Sequence, residues 1–420
     1  MNLFRVDNLI ATGIILIAAC YAYSPISYMG FASVDDTWML LGNPYVKGNL
    51  FDIEYLKGVF SRINDIQYSP INTIYYNLIY KINGFDPYYY HFFNFLIHLL
   101  NAYLVYKLVK LVYVTFEMDE SDMLSFIITF FWCIHPLNVE TVVWVSGSKI
   151  LLCSLLTLLS LYYFFKAIQG NNNLLYLSIS LLSFLASCFV KEQGLMTSFI
   201  MALAFICFSY QKKRSIWQKS NSILIVMLIG CILFSILFAI FSLVVNEVYN
   251  SVPPISRYPF YQRVILIFYC ISFYVINFLV PVNLHYHYEY PVTPDQPMPF
   301  SFYFFPLFFI LFCYYLLKVM LQSRQLYFYI FSFGLFVIEI SIELQIIPMT
   351  RPAIMADRYM YIPSIGLLII VCYLLKTLVQ EFRTEKVKSF FIFLFCSYGV
   401  FFISYSNQLT ENWFRLNFIK

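Results

Sequence analysis

The most regular feature of the sequence is a series of long apolar runs separated by short polar connections. A helix needs about 20 mostly apolar residues to cross the hydrocarbon core of a bilayer, which is roughly 30 Å thick. The runs that reach or approach this length lie at 9–29, 90–114, 124–143, 150–169, 174–190, 195–210, 222–245, 262–281, 302–321, 326–345, 360–378 and 389–406. The pattern predicts an all-α polytopic membrane protein in which 1–420 form a single transmembrane domain.

The composition agrees with this prediction. Hydrophobic residues make up 61% of the chain and charged residues only 11%, whereas soluble domains carry about a quarter charged residues. The net charge of +4 is spread over several connections, so nothing indicates a nucleic-acid partner. The ten cysteines lie in apolar runs without metal-ligand spacing, which is typical of small buried side chains. The first run has no cleavage motif, so we expect a retained span rather than a signal peptide.

The basic residues predict which side of the membrane each connection faces. They concentrate in three connections, around 107–110, 212–219 and 376–388, which the positive-inside rule places in the cytoplasm. Five apolar runs lie between the second and third, and an even number must span. The weakest of them, 262–281, is therefore predicted to be a re-entrant or interfacial helix.

About 11 spans follow from this assignment, with the amino terminus inside and the carboxyl terminus outside. The extracytoplasmic connections include a first outer loop at 30–89 and a second at 246–301, which contains the re-entrant or interfacial helix. The main polar clusters then share the outer face. No internal repeat or low-complexity tract is visible in the sequence.

The first outer loop begins with an acidic pair. Asp35 and Asp36 follow the first span in the segment ASVDDTWMLLGNPYV. Adjacent carboxylates repel each other, so one of them can keep its proton to a higher pH and act as a base near neutrality. A solvated acidic loop or a helix cap explains the pair equally well.

Four polar residues share one face of the second apolar run. His91, Asn94, His98 and Asn101 recur at steps of three and four, which places them in one stripe of a helix. Such a stripe must face protein rather than lipid. Hydrogen bonding between helices explains most of it better than catalysis or metal binding does, and His91, nearest the outer end, is the residue most open to a site role.

The segment CIHPLNVE combines a helix breaker with ionisable residues. Pro136 should break the third apolar run and free backbone carbonyls, which membrane proteins tolerate only against protein or in a wet cavity. His135, Asn138 and Glu140 would then stand at the outer rim. Pairing of Glu140 with Lys149 or Lys191 as scaffolding is the alternative.

Two further charged segments lie at the predicted outer face. Lys191 and Glu192 stand between apolar runs, where Lys191 can also simply extend toward the interface. Glu339 and Glu343 share a helix face, and Arg351 and Arg358 follow them. These arginines suit either salt bridges or a bidentate grip on phosphate.

The H-x-H sequence of His285 and His287 has no third ligand at a recognisable spacing. No cofactor is therefore certain. A divalent metal ion is allowed by the sequence but not indicated.

Several of these segments together resemble one family. SVDDTWMLLGNPYV, CIHPLNVETVVWVSGSK, ASCFVKEQG and MADRYMYIPSIG occur in one order. They are similar to the membrane region of the transmembrane-and-TPR-repeat O-mannosyltransferase-like proteins, and more distantly to protein O-mannosyltransferases. Both belong to the GT-C superfamily of glycosyltransferases that use polyprenyl-phosphate sugars. The resemblance runs from about residue 5 to 415, and this chain corresponds to the membrane core without the TPR tail.

The resemblance assigns roles to residues of this chain. It implies that Asp35 is the catalytic carboxylate with Asp36 as its companion, and it matches His135, Asn138 and Glu140 to a second motif block and Asp357, Arg358 and Tyr359 to the last. Relatives usually carry an arginine and an aspartate where this chain has Ser148 and Ile150, and an arginine within the motif that reads Tyr68-Ser69-Pro70 here.

These inferences combine into a hypothesis of an inverting hexosyltransferase, of mannose or another hexose. Asp35 would deprotonate the acceptor hydroxyl, and the nearby cations would stabilise the leaving lipid phosphate. The predicted site residues are Asp35 and Asp36 for catalysis; Arg358, Arg351, Lys191 and Lys149 for the donor phosphate; and His91, His135, Asn138, Glu140, Glu192, Asp357 and Tyr359 as lining.

The predicted partners are a polyprenyl-phosphate-linked sugar, a protein, glycan or lipid acceptor, and membrane lipids. The composition favours a bacterial inner membrane with a periplasmic site, or the endoplasmic reticulum membrane with a luminal site in a eukaryote. Two alternatives stay open, a lipid-linked-sugar flippase and a non-catalytic member of the family. A flippase predicts charges through the full membrane depth and internal repeats.

Overall fold

The computed structural model describes residues 8–61, 68–119, 121–170, 172–249, 254–294, 296–322, 325–346, 353–381, 385–415 and 418–419. Its α-helices are α1 (Asn8–Ala22), α2 (Ile53–Ser61), α3 (Pro70–Asn83), α4 (Pro87–Thr115), α5 (Ser121–Cys133), α6 (Val139–Val143), α7 (Ser148–Gln169), α8 (Leu174–Cys188), α9 (Met196–Gln211), α10 (Ser222–Tyr249), α11 (Phe260–Leu279), α12 (Phe304–Gln322), α13 (Leu326–Ser341), α14 (Pro363–Glu381) and α15 (Glu385–Arg415). Two-residue strands, β1 (Phe31–Ala32) and β2 (Phe418–Ile419), pair antiparallel. The predicted all-α polytopic membrane fold is confirmed.

Every predicted apolar run coincides with helix. Among the described residues, eight helices are long and apolar enough to cross a bilayer, and the bent pair α5–α6 makes a ninth. Three shorter apolar helices, α1, α8 and α13, account for the remaining runs. The run at 262–281 is α11, one continuous helix of 20 residues that meets the length and composition of a span. Its predicted re-entrant or interfacial placement, and the count of 11 crossings, stay predictions.

The first outer loop is more structured than its sequence pattern indicates. Within 30–89 the chain forms a π-helical turn (Thr37–Leu41), then α2 and α3. Gly84 ends α3 at φ +61°, a backbone conformation that favours glycine. Asn77 on α3 donates its amide to the carbonyl oxygens of Val46 and Gly48, both at 2.9 Å. These bonds hold α3 against the turn that contains Val46 and Gly48.

The interior of the bundle consists of a few closely packed helices. α4 packs against α5 and α7, α7 packs against α8, and α13 packs against α9 and α14. At the periphery, α12 and α15 are apolar yet almost entirely exposed, as is much of α10. An apolar surface of this kind is costly in water and natural in lipid.

The predicted break at Pro136 is confirmed, and α5 and α6 are bent by 54°. Pro136 cannot donate to the Trp132 carbonyl, which instead accepts the side-chain amide of Asn138 at 2.7 Å. The Cys133 carbonyl lies 2.9 Å from His98 Nε2, and the Ile134 carbonyl accepts the Ser406 hydroxyl at 2.8 Å. Protein side chains therefore replace the lost helical hydrogen bonds at membrane depth, as the absence of water requires.

The polar stripe on α4 faces protein, as its spacing predicts. Asn94 donates to the Trp144 carbonyl at 3.1 Å, and Asn101 to the Leu151 carbonyl at 3.0 Å. His98 Nδ1 lies 2.7 Å from the Tyr361 hydroxyl, and His91 Nε2 lies 3.0 Å from the Gly30 carbonyl. The stripe thus ties α4 to the first outer loop, the α5–α7 region and the start of α14.

The contact between α13 and α14 generates a stability prediction. A Cβ at Gly366 would lie 2.3 Å from the Ser332 carbonyl oxygen on α13, so Gly366→Ala should force the helices apart. We expect it to lower the free energy of unfolding by about 1–3 kcal/mol, measured by thermal unfolding in detergent. In Gly13→Ala, the matched control, the new Cβ meets no atom within 4 Å, and stability should not fall. Equal stability of the two variants would contradict the packing.

Candidate functional site

Asp36 is a buried anchor of the first outer loop. Its carboxylate accepts hydrogen bonds from the Ala32 N–H at 2.8 Å and the Ser146 N–H at 2.9 Å. The Ser146 hydroxyl also donates to it. The side chain is fully buried, and this burial raises the pKa of Asp36 to about 6 although the three hydrogen bonds oppose the rise. The residue joins β1 to the turn that precedes α7.

Asp35 differs from its neighbour in exposure. Its side chain is 26% exposed, and it accepts the indole N–H of Trp38 at 3.3 Å. Its other oxygen lies 3.7 Å from the ammonium nitrogen of Lys149, a residue that is itself almost completely buried. Of the acidic pair, Asp35 is therefore the carboxylate that a substrate can reach. Asp36 instead binds the backbone N–H groups of Ala32 and Ser146.

The Glu140 carboxylate binds Arg358 through two contacts, here called the arginine clasp. One oxygen accepts the backbone N–H of Arg358 at 2.9 Å, and the other forms an ion pair with its guanidinium. The guanidinium carbon also lies over the rings of Trp144 and Tyr359, at 5.2 and 4.9 Å from their centroids. This clasp fixes the bent α5–α6 segment to the 3₁₀ turn Asp357–Met360 that precedes α14.

Lys191 lies on the other side of Tyr359. Its ammonium nitrogen is 3.2 Å from a Glu343 carboxylate oxygen and 5.1 Å from the centroid of the Tyr359 ring. The side chain is 11% exposed. Tyr359 therefore separates two cations that come from distant parts of the sequence.

The two halves of the site lie close together. They are linked through α7: the Sγ of Cys153, one turn after Lys149, lies 3.9 Å from the Lys191 carbonyl oxygen, and Trp144, over which Arg358 lies, precedes Lys149 by five residues. Glu192 itself is half-buried, at the start of the 3₁₀ turn Glu192–Leu195. The segments that carry Asp35, Lys149, Lys191 and Arg358 thus lie in one region of the bundle.

Other predicted lining residues bond mainly to the scaffold. His135 is buried, with Nδ1 accepting the Leu137 N–H at 3.2 Å and Nε2 3.1 Å from the Phe278 carbonyl. Asn138 and His91 bond backbone carbonyls as described above. Asp357 is buried and accepts the Tyr288 hydroxyl at 2.9 Å. Burial, followed by the nearby Glu140 charge, raises the pKa of Asp357 well above its usual value.

Arg351 lies outside the described residues. Within the residues that the structure describes, no three histidine, cysteine, aspartate or glutamate side chains converge as a metal site requires.

Sequence inspection missed two hydrogen-bond donors of the site. Ser146 and Tyr288 bond to Asp36 and Asp357 respectively, across 110 and 69 positions of the chain. Serine and tyrosine are common in this sequence and carry no local signal of such a role. The position of Ser146 two residues after the tryptophan of the VWVSGSK motif was the one available hint.

The raised pKa of Asp36 generates a prediction on pH. The folded-state pKa of about 6 exceeds the unfolded value of 3.8, so the folded protein binds this proton more tightly. The resulting stabilisation is full below about pH 4 and lost as the pH rises through about 6. Asp36→Asn, which has no such proton, should lack this part of the pH dependence of the melting temperature between pH 4 and 6.

A second variant tests the assignment to this carboxyl. Ser146→Ala removes a hydrogen bond that lowers the Asp36 pKa, so the loss of stability should move to higher pH. Identical pH profiles for the wild type, Asp36→Asn and Ser146→Ala would refute the role of Asp36 as a buried titrating anchor.

Comparisons with known proteins find two partial relatives. The chain is 27% identical over 225 residues to the protein O-mannosyl-transferase TMTC1 of Homo sapiens, covering 49% of this chain and 24% of that protein. The protein of the same name from Mus musculus is 26% identical over 215 residues, covering 47% of this chain and 22% of that protein. No family model matches the chain. The chain is a multi-pass membrane protein with partial similarity to transferases, which is consistent with the resemblance that its motifs carry.

Proposed function

We propose that this protein is a GT-C-type glycosyltransferase that moves a sugar from a polyprenyl-phosphate donor to an acceptor hydroxyl, with inversion. The observation that carries the proposal is the pair of Lys149 with Asp35, the accessible carboxylate of the acidic pair, in the same region of the bundle as the cations of Lys191 and Arg358, which flank Tyr359. The partial similarity to protein O-mannosyl-transferases supports mannose as the sugar and a protein hydroxyl as the acceptor. The whole activity, including both substrates, is part of the proposal.

The chemistry is a single displacement at the anomeric carbon. The Asp35 carboxylate takes the proton of the acceptor hydroxyl while the hydroxyl oxygen bonds to that carbon. The bond from the carbon to the phosphate oxygen breaks, and its electron pair leaves with the polyprenyl phosphate. Attack opposite to the leaving group inverts the anomeric centre. A positioned general base contributes typically about 10²–10⁴-fold to such a step.

The cations account for the leaving group. Charge develops on the phosphate oxygen as the bond breaks, and fixed positive groups in a site shielded from water stabilise it strongly. Arg358 can offer paired N–H donors, whereas Lys149 and Lys191 act as point charges. Each has a carboxylate neighbour in the structure, Glu140, Asp35 and Glu343 respectively, so none is an uncompensated charge before the donor arrives.

The distribution of basic connections supports an extracytoplasmic location of this site. The cytoplasmic connections predicted from the positive-inside rule lie at the opposite ends of the same helices. We assign the site to the periplasmic face of a bacterial inner membrane, or to the luminal face of the endoplasmic reticulum in a eukaryote. The largely buried cations Lys149, Lys191 and Arg358 lie in this one region, whereas the more exposed ion pairs Lys110–Asp122 and Lys212–Glu117 lie toward the far ends of α4 and α9. This distribution favours a transferase over a flippase.

An apolar groove supports a lipid-linked donor. A cavity of about 170 Å³ lies between α8 and α10, lined by Leu181, Phe184, Leu185, Met227, Gly230, Cys231 and Phe234. Phe184 lies about one helical turn before the end of α8 at Cys188, and Lys191 follows that end by three residues. Aromatic contacts run from the groove toward Lys191 in three steps, Phe184–Phe234, Phe234–Phe238 and Phe238–Phe189. A prenyl chain attached to a phosphate at Lys191 could follow this path.

The assignment of Asp35 as the base gives the first test. Asp35→Asn keeps the shape of the side chain but cannot accept the proton, so transfer should fall by at least about 10²-fold. The measurement is transfer of radiolabelled mannose from polyprenyl-phosphate mannose to an acceptor peptide by purified protein. Glu54→Gln is the matched control, because Glu54 is an exposed carboxylate of the same outer loop that forms an ion pair with Lys57 at 2.8 Å. Near-normal transfer by Asp35→Asn would end the assignment.

The groove gives a separate test. A side chain at Gly230 starts in open space, since a Cβ there meets no atom within 4 Å. Gly230→Phe should fill the groove without disturbing the helices and raise the KM for a long-chain donor about tenfold or more, while a donor with a very short chain is used as well as before. Gly13→Phe places the same ring in open space on α1 and should change neither. Equal kinetics of both variants would remove the groove from the proposal.

A further inference from the structure

The indole N–H of Trp144 is a buried hydrogen-bond donor without an acceptor among the described residues. The side chain is 6% exposed, and a buried polar group left without a partner destabilises a folded protein. Other tryptophans near the site are satisfied. Trp38 donates to Asp35 at 3.3 Å, and Trp132 donates to the Tyr361 carbonyl at 2.7 Å. The free N–H of Trp144 therefore calls for an explanation.

Trp144 lies in the turn between Glu140, which binds Arg358, and Lys149, which lies beside Asp35. It precedes Ser146, which bonds to Asp36, and Lys149, which lies beside Asp35. The Arg358 guanidinium lies over its ring at 5.2 Å from the centroid. The unsatisfied donor thus belongs to the short turn that links the accessible carboxylate to the arginine clasp.

The ring is held in place independently of its N–H. Its backbone carbonyl accepts the Asn94 amide at 3.1 Å. Trp413 at the end of α15 stacks against the ring, with centroids 6.2 Å apart and planes inclined by 28°. A donor that is fixed in position before a ligand arrives loses little entropy when it binds.

We propose that the Trp144 N–H donates a hydrogen bond to a phosphate oxygen of the lipid-linked donor, beside Arg358. The inference rests on the proposed function and adds to it a neutral phosphate-binding residue. The phosphodiester oxygens of a polyprenyl-phosphate sugar carry no proton at neutral pH and accept hydrogen bonds, so they complement an N–H donor on a ring that packs against a guanidinium. Binding of the donor would supply the acceptor that the described residues do not.

The test is Trp144→Phe, which keeps an aromatic ring for Arg358 and Trp413 and removes the N–H. The probe is a short-chain polyprenyl monophosphate without sugar, with binding to the full chain in detergent measured by calorimetry. We expect binding about 10- to 100-fold weaker than in the wild type, the loss typical of a hydrogen bond to a charged group. The ligand-free melting temperature should fall less than in Trp132→Phe, because both variants lose ring volume but the fold makes no use of the Trp144 N–H.

Trp132→Phe is the matched control, since it removes an N–H that the fold does use. It should lower the melting temperature of the ligand-free protein more than Trp144→Phe does. Unchanged affinity in Trp144→Phe, or a fall of its ligand-free melting temperature without loss of affinity, would overturn the inference while leaving the proposed function intact. Failure of the wild type to bind polyprenyl monophosphate would instead overturn the proposed function.

Discussion

Buried charged groups persist only where other protein groups compensate them, as in the ion pair between Glu140 and Arg358. One carboxylate holds both the backbone and the side chain of the arginine, so it joins a bent helix to a turn 218 positions later in the chain. Isolated, either charge would be very costly to bury. The positions of Trp144, Tyr359 and Lys191 all depend on this junction.

The break at Pro136 creates the room for that junction. A straight helix would carry Glu140 further along its axis, whereas the 54° bend turns it toward the Asp357–Met360 segment. The break is tolerated because Asn138, His98 and Ser406 bond the carbonyls that it frees. Several polar residues that look like a reactive cluster in the sequence therefore form hydrogen bonds with the backbone. These bonds stabilise the bend that brings the charged residues together.

Local sequence pattern was sufficient for the parts of the structure that depend on neighbouring residues. Apolar length predicted the helices, the proline predicted the bend, and the three-and-four spacing predicted the buried face of α4. The helices of the first outer loop were not expected, because at 9 and 14 residues both are too short to form an apolar run of membrane-spanning length. The different situations of Asp35 and Asp36 were also invisible, since they arise from Ser146 and Lys149, which lie more than 100 positions away. Contacts of that kind are set by tertiary packing and produce no periodic pattern in the sequence.

The Tyr359 ring lies between the ammonium of Lys191 and the guanidinium of Arg358, and both cations already have resident carboxylate partners. An incoming anion must therefore compete with Glu343 and Glu140 for the two cations. The same ion pairs form again when the anion dissociates. Such an arrangement favours exchange of a bound anion over its retention, as the proposed release of a charged lipid after each transfer would require.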